Sequence, residues 1–178
     1  EDVLAAYDLA IVGSGPVGLA LAHRLKDSKK RIIILEAGQA IQNLAIQEDT
    51  FGASMLSPEK HAVAHLYRRR MLGGTSTVWG GRCLPFEPED FATHPNRPAW
   101  PIKFEELADY WKSALCFLEA GEEKFDEAAF SRPILFSNYE TKLDFNKIER
   151  FSPPTNAWRR YGGDLREAQI EVLSNHLV

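Results

Sequence analysis

Cysteine is nearly absent from this chain: Cys83 and Cys116 are the only two in 178 residues, far apart and outside any C-x-x-C. Such spacing supplies neither a disulfide framework nor a zinc site, and it fits a reducing compartment such as the cytoplasm. Long hydrophobic runs are missing as well. No window approaches the roughly 18 uninterrupted apolar residues of a membrane-spanning helix, so no membrane segment is expected. The opening EDVLAAYD has no basic n-region and no apolar core, and the first residue is Glu1 rather than Met, which leaves open an upstream piece and an export signal. Excess positive charge is lacking too. With 21 Lys and Arg against 25 Asp and Glu the net charge is −4, which gives no pull toward nucleic acid or anionic lipid. Internal repeats and low-complexity runs are absent.

What is present describes one globular domain, long enough for a real core but short for a two-domain enzyme. Hydrophobic residues make up 44% and aromatic residues 11%. Near the N-terminus the apolar run Tyr7 to Val12 meets Gly13-Ser14-Gly15-Pro16-Val17-Gly18, the helix-like LALAHRLKD follows, and the β-branched run RIIILE closes on Glu36. Strand, glycine turn, helix and strand ending in an acid form the context in which G-x-G-x-x-G binds a dinucleotide. Gly13 permits the tight turn, Gly15 lets a pyrophosphate approach bare backbone, and Gly18 lets helix pack close to strand. The helix N-terminus then offers unpaired N–H groups and positive dipole to the phosphates. Glu36 can accept hydrogen bonds from both ribose hydroxyls. The competing reading is an ordinary βα turn with Glu36 as a solvated strand end.

The fingerprint does not choose between NAD and FAD. A second glycine cluster does: RMLGGTSTVWGG, Arg70 to Gly81, lies some 55 residues beyond the first. A nicotinamide enzyme has no use for it, whereas extended FAD needs a second backbone cradle for its pyrophosphate and ribityl chain.

With both clusters in place, the chain resembles the N-terminal part of the glucose-methanol-choline oxidoreductases. GSGPVG with IIILEAG is similar to their FAD fingerprint, and RMLGGTSTVWGG followed by PFEPEDF to their second signature. WPIKFEELADYW and FSPPTNAW with YGGDLREAQIEVL extend the likeness over nearly the whole chain. Trp79 stands where many members have Asn, which is closer to the pyranose oxidase and sugar dehydrogenase branch. Val78 stands where pyranose oxidases carry the histidine that bonds flavin covalently, so the resemblance implies non-covalent FAD. It further implies Gly13, Ser14, Gly15, Val17 and Gly18 on the diphosphate and Glu36 on the adenosine ribose. Arg70, Gly73, Gly74, Thr75 and Ser76 would line the pyrophosphate and ribityl chain, with Val78 and Trp79 near the isoalloxazine and Val178 at the adenine.

The implied fold is α/β, a Rossmann-like FAD-binding βαβ core with helices and irregular segments, incomplete without a C-terminal part. FAD-binding regions are expected over residues 1–121 and 155–178, with the start of a substrate-side region over 122–154. A loop-rich connection runs from Gln39 to Arg69, with a helix from about Glu59. A second helix is expected over Phe104 to Glu119, its core stripe formed by Leu107, Tyr110, Trp111, Ala114, Leu115 and Leu118. His61 and His65 stand at i, i+4, but without the Glu of H-E-x-x-H or a third ligand they make no metal site. Arg68-Arg69-Arg70 reads as a solvated face.

None of the five histidines, His23, His61, His65, His94 and His176, matches the family's catalytic base, and the chain stops within an apolar run. The expectation is therefore a piece of a larger enzyme with no catalytic residue of its own. That enzyme would move hydride from an alcohol carbon, of a sugar or glycoside, to flavin. Its partners would be a small-molecule alcohol or sugar and the missing C-terminal part or another subunit. The alternatives are a non-catalytic nucleotide-binding module and an NAD-binding Rossmann domain.

Overall fold

The computed structural model describes residues 6–49, 67–96, 98–125 and 148–178. The chain divides into two compact units, Glu1–Trp79 with Thr155–Val178, and Gly80–Pro154.

The first unit is built on three parallel strands, β1 (Leu9–Val12), β2 (Ile32–Glu36) and β5 (Glu171–Ser174), in the order β1-β2-β5. Leu9 pairs with Ile32 and Val12 with Leu35 on one side of β2, while Ile33 pairs with Glu171 and Glu36 with Ser174 on the other. Central β2 is buried along its whole length, which is why its sequence is a continuous β-branched and apolar run instead of an alternation. Between β1 and β2 runs α1 (Pro16–Leu25). Pro16 at its start has no N–H to lose there, and Leu19 and Ala22 turn inward. A short α2 (Leu44–Asp49) follows β2.

Helix α5 (Ala157–Glu167) leads into β5. Asn156 caps it, its side chain accepting from Arg159 N at 3.0 Å, and Ala157, Tyr161 and Leu165 form its buried stripe at i, i+4, i+8. It packs on α1, with the His23 and Tyr161 rings 4.8 Å apart. The helix ends in a Schellman motif: Ile170 N donates to Leu165 O, Gln169 N to Arg166 O, and Gln169 is left-handed at φ 59°. Strand β5 stops at Ser174, where Asn175 turns left-handed (φ 63°), a conformation asparagine tolerates. Val178 is 77% exposed.

The second unit pairs β3 (Arg82–Cys83) antiparallel with β4 (Arg150–Phe151), ties Ser152 N to Gly81 O at 2.8 Å, and joins Arg82 to Glu149 by an ion pair. Residues from 80 onward bond to those around 150, which sets this unit at Gly80–Pro154. Among its described residues are two short helices, α3 (Pro88–Phe91) and α4 (Trp111–Phe117), the latter preceded by a 3₁₀ segment over Phe104–Tyr110. The single amphipathic helix expected over 104–119 is thus split. Of its stripe only Leu115 is buried, Ala114 is exposed and Tyr110 is 64% exposed. The 3₁₀ turns instead set Phe104 against Phe91 and Trp111 toward Phe86, so aromatic pairing with the preceding segment decides the geometry there.

The helix expected from residue 59, with His61 and His65, lies almost wholly outside the described residues. Tyr67 is helical, whereas Arg68 to Arg70 are not. Among the described residues no helix is long and apolar enough to cross a membrane, and no three His, Cys, Asp or Glu side chains converge on a metal position.

Candidate nucleotide site

The first glycine turn joins β1 to α1. Gly13 sits at φ 91°, open to glycine and costly for other residues, and its N–H donates to Leu35 O at 2.7 Å. Gly18 is fixed by contact, since a Cβ there would stand 2.0 Å from Gly13 O. Around Gly15 there is open space: a Cβ would meet nothing within 4 Å. Gly13 therefore forms the tight turn, Gly18 allows the close packing of helix on strand, and the backbone at Gly15 stands open. In front of them lies an open trough of about 570 Å³, lined by Gly13, Gly15, Val17, Gly18 and Thr75 among others.

Glu36 closes β2 but is no solvated strand end. It is 6% exposed, and its carboxylate is held from two sides. Oε2 accepts from Ser14 N at 2.8 Å and Ser14 Oγ at 2.6 Å, and Oε1 accepts from Gly38 N at 2.8 Å. Both donors of Ser14 are thereby directed to Glu36, so this serine orients the carboxylate where sequence had put it on the diphosphate. An ionised carboxylate has about four acceptor positions. Both of Oε2's are filled from within the chain, and Oε1 has one taken by Gly38 N.

The second cluster lies directly behind the first. Gly73 (φ 90°) donates its N–H to Ser14 O at 3.1 Å, and a Cβ on Gly74 (φ 51°) would come 2.9 Å from the Cα of Gly15. A 3₁₀ turn over Gly74–Thr77 follows. Of its hydroxyls, Thr75 is exposed on the trough, whereas Thr77 Oγ1 bonds to Gly74 O at 2.8 Å. Ser76 is buried, its Oγ donating to Gly73 O at 2.6 Å and accepting from Ala157 N at 3.0 Å. The hydroxyl expected on the ribityl chain thus braces the turn from behind.

Val78 ends the turn at 38% exposure. Trp79 directs its indole N–H to Thr155 O at 3.0 Å. Arg70 is half-buried and bonds through Nη1 to Ile46 O at 3.3 Å. Its backbone N–H donates to Gln47 Oε1 at 2.9 Å, and Gln47 Nε2 donates to Arg68 O at 3.1 Å. Gln47, 1% exposed, therefore straps the approach to the second cluster. Sequence reasoning missed it, as it missed Asn156 as a cap, although N-A-W opening an amphipathic run is a cap signal.

Residues 11–42, which include the first glycine turn and Glu36, match the NAD(P)-binding Rossmann-like domain. This segment has the Rossmann-like βαβ fold. The chain is 27% identical over 124 residues to a protein named Dehydrogenase str4 from Strobilurus tenacellus, a match spanning 61% of this chain and 20% of that one. It is 30% identical over 114 residues to a probable NADH-specific resorcinol 4-hydroxylase from Rhodococcus jostii (strain RHA1), spanning 62% and 21%. The chain thus covers about a fifth of the length of these curated relatives. Among solved structures, pyridoxine 4-oxidase from Mesorbium loti aligns over 95% of this chain and 42% of its own, at 20% identity and a TM-score of 0.44. A formate oxidase of Aspergillus oryzae RIB40 aligns over 48% and 18%, at 20% identity and a TM-score of 0.31.

Proposed function

We propose that this chain is the FAD cradle of an oxidoreductase of the glucose-methanol-choline type. The observation that carries the reading is the approach of Gly74 to Gly15: two bare-backbone turns meet, and such a double turn suits a cofactor longer than a nicotinamide dinucleotide's phosphate grip requires. The residues present fit such a cofactor. Gly15 and the start of α1 after Pro16 offer N–H groups to the diphosphate, Gly13 and Gly15 leave it open space, Glu36 Oε1 faces a ribose hydroxyl, and Thr75 and Gly74 extend the surface toward the ribityl chain. Val78 has no atom to bond the flavin, so the cofactor is held without a covalent link. When bound, the flavin accepts a hydride from an alcohol carbon, of a sugar or glycoside by the Trp79 resemblance. The chain's own part is to bind and orient it, while the general base and the substrate pocket come from further polypeptide. The names of the curated relatives, a dehydrogenase and a hydroxylase, support an oxidoreductase.

Titration of the purified chain with FAD, FMN, ADP and NAD tests the reading. FAD should bind more tightly than ADP, and ADP more tightly than FMN, since the adenosine end meets the better-defined grip. Binding of NAD in preference to FAD would overturn it in favour of a nicotinamide-binding Rossmann domain.

A further inference from the structure

We infer that Ser76 is a positioning residue that couples the two glycine turns, so that a diphosphate seated on the first turn is felt at the first turn of α5. This rests on the reading of the site as a nucleotide cradle. Ser76 is 5% exposed and its hydroxyl works in both directions, donating to Gly73 O at 2.6 Å and accepting from Ala157 N at 3.0 Å. Gly73 carries the connection on, because its N–H donates to Ser14 O at 3.1 Å. Ser14 in turn donates through N and Oγ to Glu36 Oε2, and Gly38 N donates to Oε1. One path of hydrogen bonds therefore runs from Gly38 through Glu36, Ser14, Gly73 and Ser76 to Ala157.

Every residue on that path is buried. Water has no access to replace a lost bond, and hydrogen bonds in series polarise one another at low dielectric. The path is also mechanically stiff: the Gly74 position stands against the Cα of Gly15, so a shift of the second turn displaces the first. Asn156, which caps α5, borders the same turn, its Oδ1 lying 3.2 Å from where a Gly73 Cβ would be. Thr77 belongs to the same 3₁₀ turn, but its hydroxyl bonds locally to Gly74 O and takes no part in the path.

ADP is the probe, because it fills the first turn and reaches neither Ser76 nor α5. Ser76→Ala should weaken ADP about three- to tenfold, the loss of a neutral hydrogen bond's net worth. Thr77→Ala, which removes a hydroxyl from the same turn, should leave ADP affinity unchanged. ADP affinity in Ser76→Ala equal to that of the unaltered protein, or an equal loss in Thr77→Ala, overturns the coupling. Should Ser76→Ala fail to fold, the unaltered protein decides: saturating ADP should slow exchange of the Ala157 amide hydrogen, and unchanged exchange overturns the coupling. Failure of the unaltered chain to bind either ADP or FAD overturns the cradle reading itself, and the coupling with it.

Discussion

Gly74 and Gly15 lie so close that a single methyl group on Gly74 would stand 2.9 Å from the Cα of Gly15, although the two belong to turns far apart in the chain. Backbone cannot retreat as a side-chain end can, and Gly74 is also left-handed at φ 51°. The left-handed conformation costs a non-glycine residue about 1–2 kcal/mol before any clash. Gly74→Ala should therefore weaken FAD binding at least about tenfold by pushing the turns apart. A fluorescence titration checks it, and affinity within error of the unaltered protein would refute the contact.

Glu36 serves the fold and, on the proposed reading, a ligand as well. Three donors, Ser14 N, Ser14 Oγ and Gly38 N, converge on its buried carboxylate. Hydrogen bonds to charged groups are worth about 1.5–3 kcal/mol each, and removing the acceptor leaves buried donors unsatisfied. Glu36→Ala should lower unfolding stability by about 3 kcal/mol or more in the absence of any ligand, and abolish measurable FAD binding. Glu36→Gln, which keeps an acceptor oxygen for Ser14, should lose less of both. Denaturant unfolding of the ligand-free variants separates the cases, and a stability loss confined to the ligand-bound form would contradict this dual role.

His23 makes the α1–α5 contact sensitive to acid. Burial holds its pKa below the ordinary 6.5; Lys26 and Arg160 push the same way, while Asp164 and Asp27 oppose them. Asp164 Oδ2 stands 4.0 Å from His23 Nδ1, and Tyr161 packs on the ring. The unfolded chain thus takes up a proton at higher pH than the folded one. Stability should fall as pH drops through 6.5 and level off below the lowered folded-state value. His23→Gln should flatten that segment of the curve of thermal midpoint against pH. A slope unchanged by the substitution would assign the acid sensitivity to other groups.

On the proposed reading, Val78 at the linking histidine's place leaves the flavin dissociable. Acid precipitation of the FAD-loaded protein should leave the yellow chromophore in the supernatant. Colour retained in the washed pellet would show a covalent link through some other residue.

Much of the nucleotide grip is legible in the amino-acid sequence because it is local. A glycine turn with Gly13 at positive φ, Pro16 at the head of α1 and a buried β-branched strand ending in Glu36 are all properties of neighbours along the chain, governed by backbone sterics and the period of burial. Even the closeness of Gly18 to Gly13 is an arrangement over a few residues. What only the tertiary structure decided are the directions of side chains between elements remote in sequence. Ser14 faces inward because β2 brings Glu36 beneath it, and Ser76 because α5 offers the Ala157 N–H behind it. Gln47 is a strap only because residues 68–70 pass over α2. Along 104–117, aromatic neighbours at Phe86 and Phe91 outweighed a helical stripe that looked sound on its own. Residue types and spacing determined that bare backbone is exposed at this turn, where the proposed dinucleotide would sit. Long-range packing decided which hydroxyls are left to meet it, because each can satisfy only the partners that the fold brings within about 3 Å.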